Sequence, residues 1–206
     1  MSDTAVKPVN QKIRFWIVRL AFLACVPLIV LARPIWADWA LATAVLRSLG
    51  TLMLVAGVLY RVWAILYIGG RKNAEVVQDG PYSMSRHPLY FGTTLAMVGF
   101  GLMLQSLVFA VLLGGLALLI LSATAAREER FLRAEFGAGY ETFARRVTTR
   151  VLPRVDLFHT ADVVSFKPRI LRTNIADALG FLVIIPLVAL LDLLHAWGLP
   201  TLFSIF

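Results

Sequence analysis

The sequence predicts an all-α, polytopic membrane protein, with about five transmembrane helices and one cytosolic amphipathic helix in a single domain over residues 1–206. Three observations predict it. The chain is 59% hydrophobic with only 16% charged residues, and its mean hydropathy is +0.79; an ordinary soluble domain is nearer ~45–50% apolar. The apolar residues come in long blocks, the pattern of bilayer spans rather than of a soluble core. The Arg and Lys behind the net charge of +8 fall almost entirely in alternate breaks between blocks, as expected where basic loops stay in the cytoplasm. Topology therefore accounts for the charge, and no nucleic-acid partner is called for.

The leader Met1–Asn10 is polar, and the run after it lacks a small-residue cleavage site, so no removable signal peptide is expected. A first span covers Phe15–Ala32, with Lys12 and Arg14 before it and Arg33-Pro34 after it; Arg19, one turn in, can carry its charge back to the interface along its stem. Arg33–Asp38, with Trp36 and nearby Trp39, reads as an interfacial belt. The second span, Leu41–Ile68, exceeds the ~20 residues a bilayer needs and must tilt or project. It carries Arg47 and Arg61 on nearly one face. Each lies near an end, where snorkelling is the simpler account, although intramembrane arginines are also functional candidates.

Gly69-Gly70-Arg71-Lys72-Asn73 breaks the helix, and Val76-Val77 in the connector beyond suits a short extended piece. The third span is Leu89–Leu104 and the fourth Leu107–Ala126. Gly92, Ala96 and Gly99 recur at helical spacing, as small residues do where membrane helices pack closely, and Gly114-Gly115 offers the same on the facing helix. From Arg127 to Val147, Phe136, Tyr140, Phe143 and Val147 recur at three- and four-residue steps among charges. This predicts an amphipathic helix on the membrane surface, interrupted by Gly137 and Gly139 and closed by Pro153. Arg154–Arg172 is a polar connector, and Ile175–Leu194 makes a fifth span. Five spans place the N-terminus, the Gly69–His87 loop and Arg127–Arg172 in the cytoplasm, across the plasma membrane if the source is bacterial, with Arg33 alone opposite.

Only Gln105-Ser106 separates the third and fourth spans, which forces an antiparallel hairpin. His87 stands just before the hairpin and Glu128 just after it, so the return helix must bring Glu128 to the depth at which His87 left. Pro88 suits a first helical turn, which sets His87 at the helix mouth, where free N–H groups and the positive dipole end receive an acidic or oxygen-rich ligand. Tyr82 and Tyr90 offer faces for a heterocycle or a cation. Glu128 and Glu129 require a cation or hydroxyl donors at such a depth. Plainer accounts exist for the parts: Arg86 as a positive-inside residue, the tyrosines as belt aromatics, Glu129 paired with Arg133 one turn on. The forced proximity of His87 and Glu128 is what they do not supply.

Other chemistry is set aside. The single Cys25 excludes an internal disulfide and a Cys-based metal cluster. His159 and His195 have no partners at metal-ligand spacing, so no metal is expected. Gly99-Phe100-Gly101 lies inside a span with no strand before it, and no nucleophile elbow or phosphate loop is present.

Gly80-Pro81-Tyr82 followed by Arg86-His87-Pro88-Leu89-Tyr90-Phe91-Gly92 resembles the Arg-His-Pro-x-Tyr-x-Gly motif of the isoprenylcysteine carboxyl methyltransferase and phospholipid methyltransferase superfamily. Glu128-Glu129, Phe136-Gly137, Tyr140 and Pro153 are similar to its second block in order and spacing, so the resemblance covers Arg71–Pro153. It implies an integral membrane methyltransferase using S-adenosylmethionine (S-adenosyl-L-methionine), held on the cytosolic side. Tyr82, His87, Pro88, Leu89, Tyr90 and Glu128 would line the cofactor pocket, with backbone contacts from Glu75, Val76 and Val77. Arg127 or Glu129 would orient the acceptor's headgroup. Eukaryotic carboxyl methyltransferases carry an Arg one turn before the acidic pair, where this chain has Thr124, so that substrate contact does not carry over. The acceptor expected is a membrane lipid or lipidated small molecule; a phospholipid amine, an isoprenoid carboxylate and a thiol all stay open, and no residue is assigned as a catalytic base. Two rivals stand beside this reading: an NADPH-dependent membrane reductase of the sterol-reductase type, with Arg71-Lys72 for the 2′-phosphate, and a non-catalytic membrane protein.

Overall fold

The computed structural model describes residues 20, 23–71 and 74–206. The leader and most of the first predicted span lie outside the described residues; of that span, residues 23–31 (α1) are helical. Then follow α2 (Ala40–Ile68), the single turn α3 (Pro81–Met84), α4 (Pro88–Met103), α5 (Leu107–Phe136), α6 (Ala138–Arg146), α7 (Pro168–Leu179) and α8 (Ile184–Ala196). The protein is an all-α membrane protein. Ala40–Ile68, Leu107–Phe136 and the run Pro168–Ala196 are long and apolar enough to cross a bilayer, and Pro88–Met103 is a shorter apolar helix. At ~1.5 Å per residue the 16 residues of α4 reach about 24 Å, less than the ~30 Å hydrocarbon layer.

The hairpin is built by its turn chemistry. Gln105 takes a left-handed φ of 57°, Ser106 N–H donates back to the Gly101 carbonyl and Gln105 N–H to the Leu102 carbonyl, the paired bonds of a Schellman stop. Ser106 then starts α5 at once, its Oγ accepting from Phe109 N–H at 3.1 Å. Gly92 and Gly99 of α4 meet α2: a β-carbon on Gly57 would lie 2.5 Å from the Gly92 carbonyl, and one on Gly99 2.5 Å from Leu54 N, while Gly101 packs on Ala110 of α5. Backbone therefore packs on backbone along this crossing, with Leu54, Val58, Ala96 and Leu113 buried in the core beside it. Gly114 touches Val98 across the hairpin, whereas Gly115 faces open space.

Two boundaries differ from the sequence reading. Helix α5 does not end at Ala126 but runs to Phe136, so its 30 residues, about 45 Å, carry Glu128 and Glu129 beyond the apolar stretch. The amphipathic segment is its last turns plus α6, bent only at Gly137, whose φ is 49°; Gly139 sits inside α6. The fifth span begins earlier, at Pro168, and tightens to 3-10 geometry over Gly180–Val183. The cause is Pro186, which has no N–H for the Leu182 carbonyl and crowds it. The connector at Val76-Val77 is irregular. The described strands lie elsewhere: β1 (Ala32–Pro34) pairs in parallel with β2 (Phe203–Ile205). At that same end Arg47 Nη2 lies 2.6 Å from Asp192 Oδ2, joining α2 to α8.

Candidate functional site

The site begins at a glycine. Gly80, with φ 58°, turns the chain into α3, and the ring of Tyr67 fills the place of its missing β-carbon at 2.4 Å. Pro81 starts α3 and Pro88 starts α4, with His87 as the N-cap residue between them. The backbone here is held from outside by the segment after α6. Arg86 N–H donates to the Thr149 carbonyl at 3.2 Å, His87 N–H to Arg150 at 2.8 Å, Arg154 N–H to Met84 at 2.9 Å, and Gly80 N–H to His159 at 2.8 Å. His159 N–H in turn donates to Ser83 Oγ at 3.1 Å. Residues 149–159, read from sequence as the end of one helix and a connector, form a strap across α3.

Helix α5 brings its two carboxylates against this mouth. Tyr90 Oη donates to Glu128 Oε2 at 2.7 Å. His87 Nδ1 lies 3.6 Å from the same oxygen and Nε2 lies 3.5 Å from Glu129 Oε1. The His87 and Tyr90 rings are parallel, 5.2 Å between centroids. The imidazole thus sits between adjacent carboxylates with one face covered. Glu129 is completely buried and is enclosed by guanidinium groups: Arg86 Nε donates to it at 3.0 Å, Arg150 Nε lies at 3.2 Å and Arg133 at 3.8 Å. Arg86 also donates to the carbonyls of Ala144 at 3.3 Å and Val147 at 3.0 Å, satisfying the end of α6. One side chain therefore locks α4, α5 and α6 together.

Tyr82 is buried beneath the mouth with Val77, Ala64 and Leu89. Burial first, and then the neighbouring Glu128 charge, pushes its phenol above the usual tyrosine range. It stays protonated at neutral pH, available as a hydrogen-bond donor.

The expected residues fall into two groups. Tyr82, His87, Tyr90, Glu128 and Glu129 converge at one end of the hairpin, with Pro88 buried beneath and Leu89 packed on Tyr82. Val76 packs on the Tyr140–Phe143–Val147 cluster of α6 and the residue after it, so the irregular connector is wedged between that cluster and Tyr82. Glu75 is exposed and ion-paired with Arg71, and Arg127 is exposed on α5. Sequence reasoning missed Arg150 and the strap, because nothing in the local pattern of a polar segment says what it will cover. It treated Arg61 as a snorkelling charge, yet Arg61 reaches Thr93 Oγ1 on α4.

Residues 45–139 match the phospholipid methyltransferase family. A nickel-cobalt-cadmium resistance protein of Alcaligenes xylosoxydans xylosoxydans is 35% identical over 81% of this chain and 77% of its own length. A cobalt-zinc-cadmium resistance protein of Cupriavidus metallidurans is 36% identical over 74% of this chain and 70% of its own. No solved structure matches the chain.

Proposed function

This chain belongs to the phospholipid methyltransferase family of integral membrane methyltransferases, and on that premise we propose that it uses S-adenosylmethionine to methylate a lipid or lipid-like acceptor. One observation carries the reading: the His87 imidazole and the Tyr90 hydroxyl both meet Glu128, at 3.6 and 2.7 Å, at the mouth of one helical hairpin. The donor set suits the cofactor. The Glu128 carboxylate matches vicinal ribose hydroxyls or an ammonium group, and the parallel His87 and Tyr90 rings give a flat face for adenine. The buried hydroxyl of Tyr82 has no hydrogen-bond partner among the described residues, which leaves a donor for a ligand. Val77 packs with Tyr82, which supports a backbone contact to the cofactor from Val76 and Val77.

When bound, S-adenosylmethionine supplies an electrophilic methyl group, which the acceptor's lone pair takes as the carbon–sulfur pair leaves with sulfur. The protein's own part is position and electrostatics. His87 is fixed by its backbone bond to Arg150, Tyr90 is oriented by Glu128, and the strap over α3 keeps water from the mouth's outer side. Arg127, exposed beyond the apolar stretch of α5, meets lipid headgroups. Basic loops gather at the His87 end, and the positive-inside rule supports a cytoplasmic placement for it.

Glu128→Ala is expected to abolish binding of S-adenosylhomocysteine by calorimetry while the protein stays folded; unchanged affinity removes the assignment. Transfer of labelled methyl to extracted lipids identifies the acceptor. Retention of NADPH instead of the sulfonium cofactor turns the reading to a reductase. The metal resistance in the relatives' names gives a setting for the search, namely lipids from cells grown with and without nickel, cobalt or cadmium.

A further inference from the structure

Arg61 is the charge that this reading leaves without a task. It lies on α2, seven residues before the helix ends at Ile68, about 10 Å along the axis. Its stem crosses α4 over Gly92, where a β-carbon would lie 2.7 Å from Arg61 Cγ. Past that gap Nη1 donates to Thr93 Oγ1 and, at 3.4 Å, to the Leu89 carbonyl. The Phe181 ring covers the guanidinium, 5.0 Å from Cζ. These contacts occupy one terminal nitrogen and one face. Nε is buried and has no hydrogen-bond partner among the described residues. Asp177 on α7 attracts the charge through space, but no carboxylate among the described residues is within ion-pair distance of it. A guanidinium short of a counter-ion inside a membrane bundle is costly, and its planar fork matches phosphate or carboxylate.

Its surroundings join it to the site. The Tyr82 phenol feels both the Arg61 and the Glu128 charge, and the two residues that receive Nη1, Leu89 and Thr93, flank Tyr90 on the first turns of α4. Thr124, buried on α5 one turn before Glu128, brings no charge at that depth.

We propose that Arg61 determines acceptor specificity by binding an anionic group, phosphate or carboxylate, on the amphiphile to be methylated, and that Gly92 lacks a side chain so that Arg61 can pass. The proposal rests on the methyltransferase reading and names the chemistry of its second substrate. Arg61 meets α4 at Leu89 and Thr93, inward of the His87 mouth, a depth that suits an acidic group whose tail lies in the bilayer.

Three amphiphiles of equal tail, dodecyl phosphate, dodecanoate and dodecanol, are titrated calorimetrically into the protein in uncharged detergent, with S-adenosylhomocysteine titrated in parallel. The wild type is expected to bind at least one of the two anions at least tenfold more tightly than the alcohol. Arg61→Gln is expected to erase that preference, leaving dodecanol and S-adenosylhomocysteine affinities within twofold, and Arg61→Lys to restore part of it. Gly92→Ala keeps the charge but blocks its passage, and is expected to reproduce the loss. Preference for phosphate assigns a phospholipid, and preference for carboxylate a lipid acid. Equal wild-type affinity for all three, or an anion preference that survives Arg61→Gln, overturns the proposal. The wild-type comparison decides against it even where a substitution prevents folding. Failure of the wild type to bind S-adenosylhomocysteine sinks the methyltransferase reading alone, with the amphiphile titrations still readable.

Discussion

Glu128 and Glu129 are neighbours in sequence, yet about 100° of helix rotation separates them and their surroundings differ completely. Glu128 keeps a partly open face toward His87 and Tyr90, while Glu129 is sealed among Arg86, Arg150 and Arg133. Removing a buried ion-pair partner strands the others, at about 3–5 kcal/mol. Glu129→Ala is therefore expected to lower the unfolding midpoint in detergent sharply, whereas Glu128→Gln leaves it nearly unchanged and acts on binding. A second residue-scale test uses pH. Burial, and then repulsion from Glu129, pushes the Tyr140 phenol up to about 12 from the ordinary 10.0. The folded state holds that proton more tightly than the unfolded chain, so this contribution is intact below pH 10 and is lost as the pH climbs towards 12. Tyr140→Phe is expected to flatten that part of the alkaline stability curve; an unaltered slope refutes the assignment. At this scale the His87–Glu128 meeting was legible, because both residues flank one hairpin. The enclosure of Glu129 was not, since Arg150 arrives by way of a strap that no local periodicity encodes.

The elements were legible where apolar length decides them and illegible where charge stands in for a boundary. Arg127-Glu128-Glu129-Arg130 marks where the apolar stretch ends, and the sequence reading ended the fourth span there. A helix has no reason to stop at that edge; it stops where its backbone is turned, at Gly137. Two glycines two positions apart make this testable. Gly137 has a φ of 49° with open space around it, and Gly139 lies in regular helix with open space around it. Gly137→Ala is expected to cost more than about 1 kcal/mol through backbone strain alone, and Gly139→Ala to gain about 0.5–1 kcal/mol through helix propensity. Thermal unfolding of the two variants should move in opposite directions. Gly92 and Gly99 of α4 were expected to serve close packing and do so, but against Gly57 and Gly50 of α2, while Gly101 of the same helix packs on Ala110 of α5; small residues show that a close neighbour exists without saying which.

For the whole molecule, hydropathy anticipated the three long apolar helices and the shorter one, while the parallel pairing of Ala32–Pro34 with Phe203–Ile205 followed from nothing visible in either three-residue stretch. Sidedness has a direct measurement. The one native cysteine, Cys25, is buried, so background labelling is low. A membrane-impermeant maleimide is expected to label Thr201→Cys in intact cells stripped of their outer wall, and Asp162→Cys only after lysis. The reverse pattern inverts the orientation.

The brevity of α4 has a consequence of its own. A rod some 6 Å shorter than the oil it stands in cannot lift both ends clear of it. With its Gln105 turn at one surface, its open end would be sunk below the other, and the lipid around it would dip to follow. Under the proposed function, a water-borne donor and a lipid-borne recipient would then meet at the floor of a shallow well, and neither would have to leave its own phase.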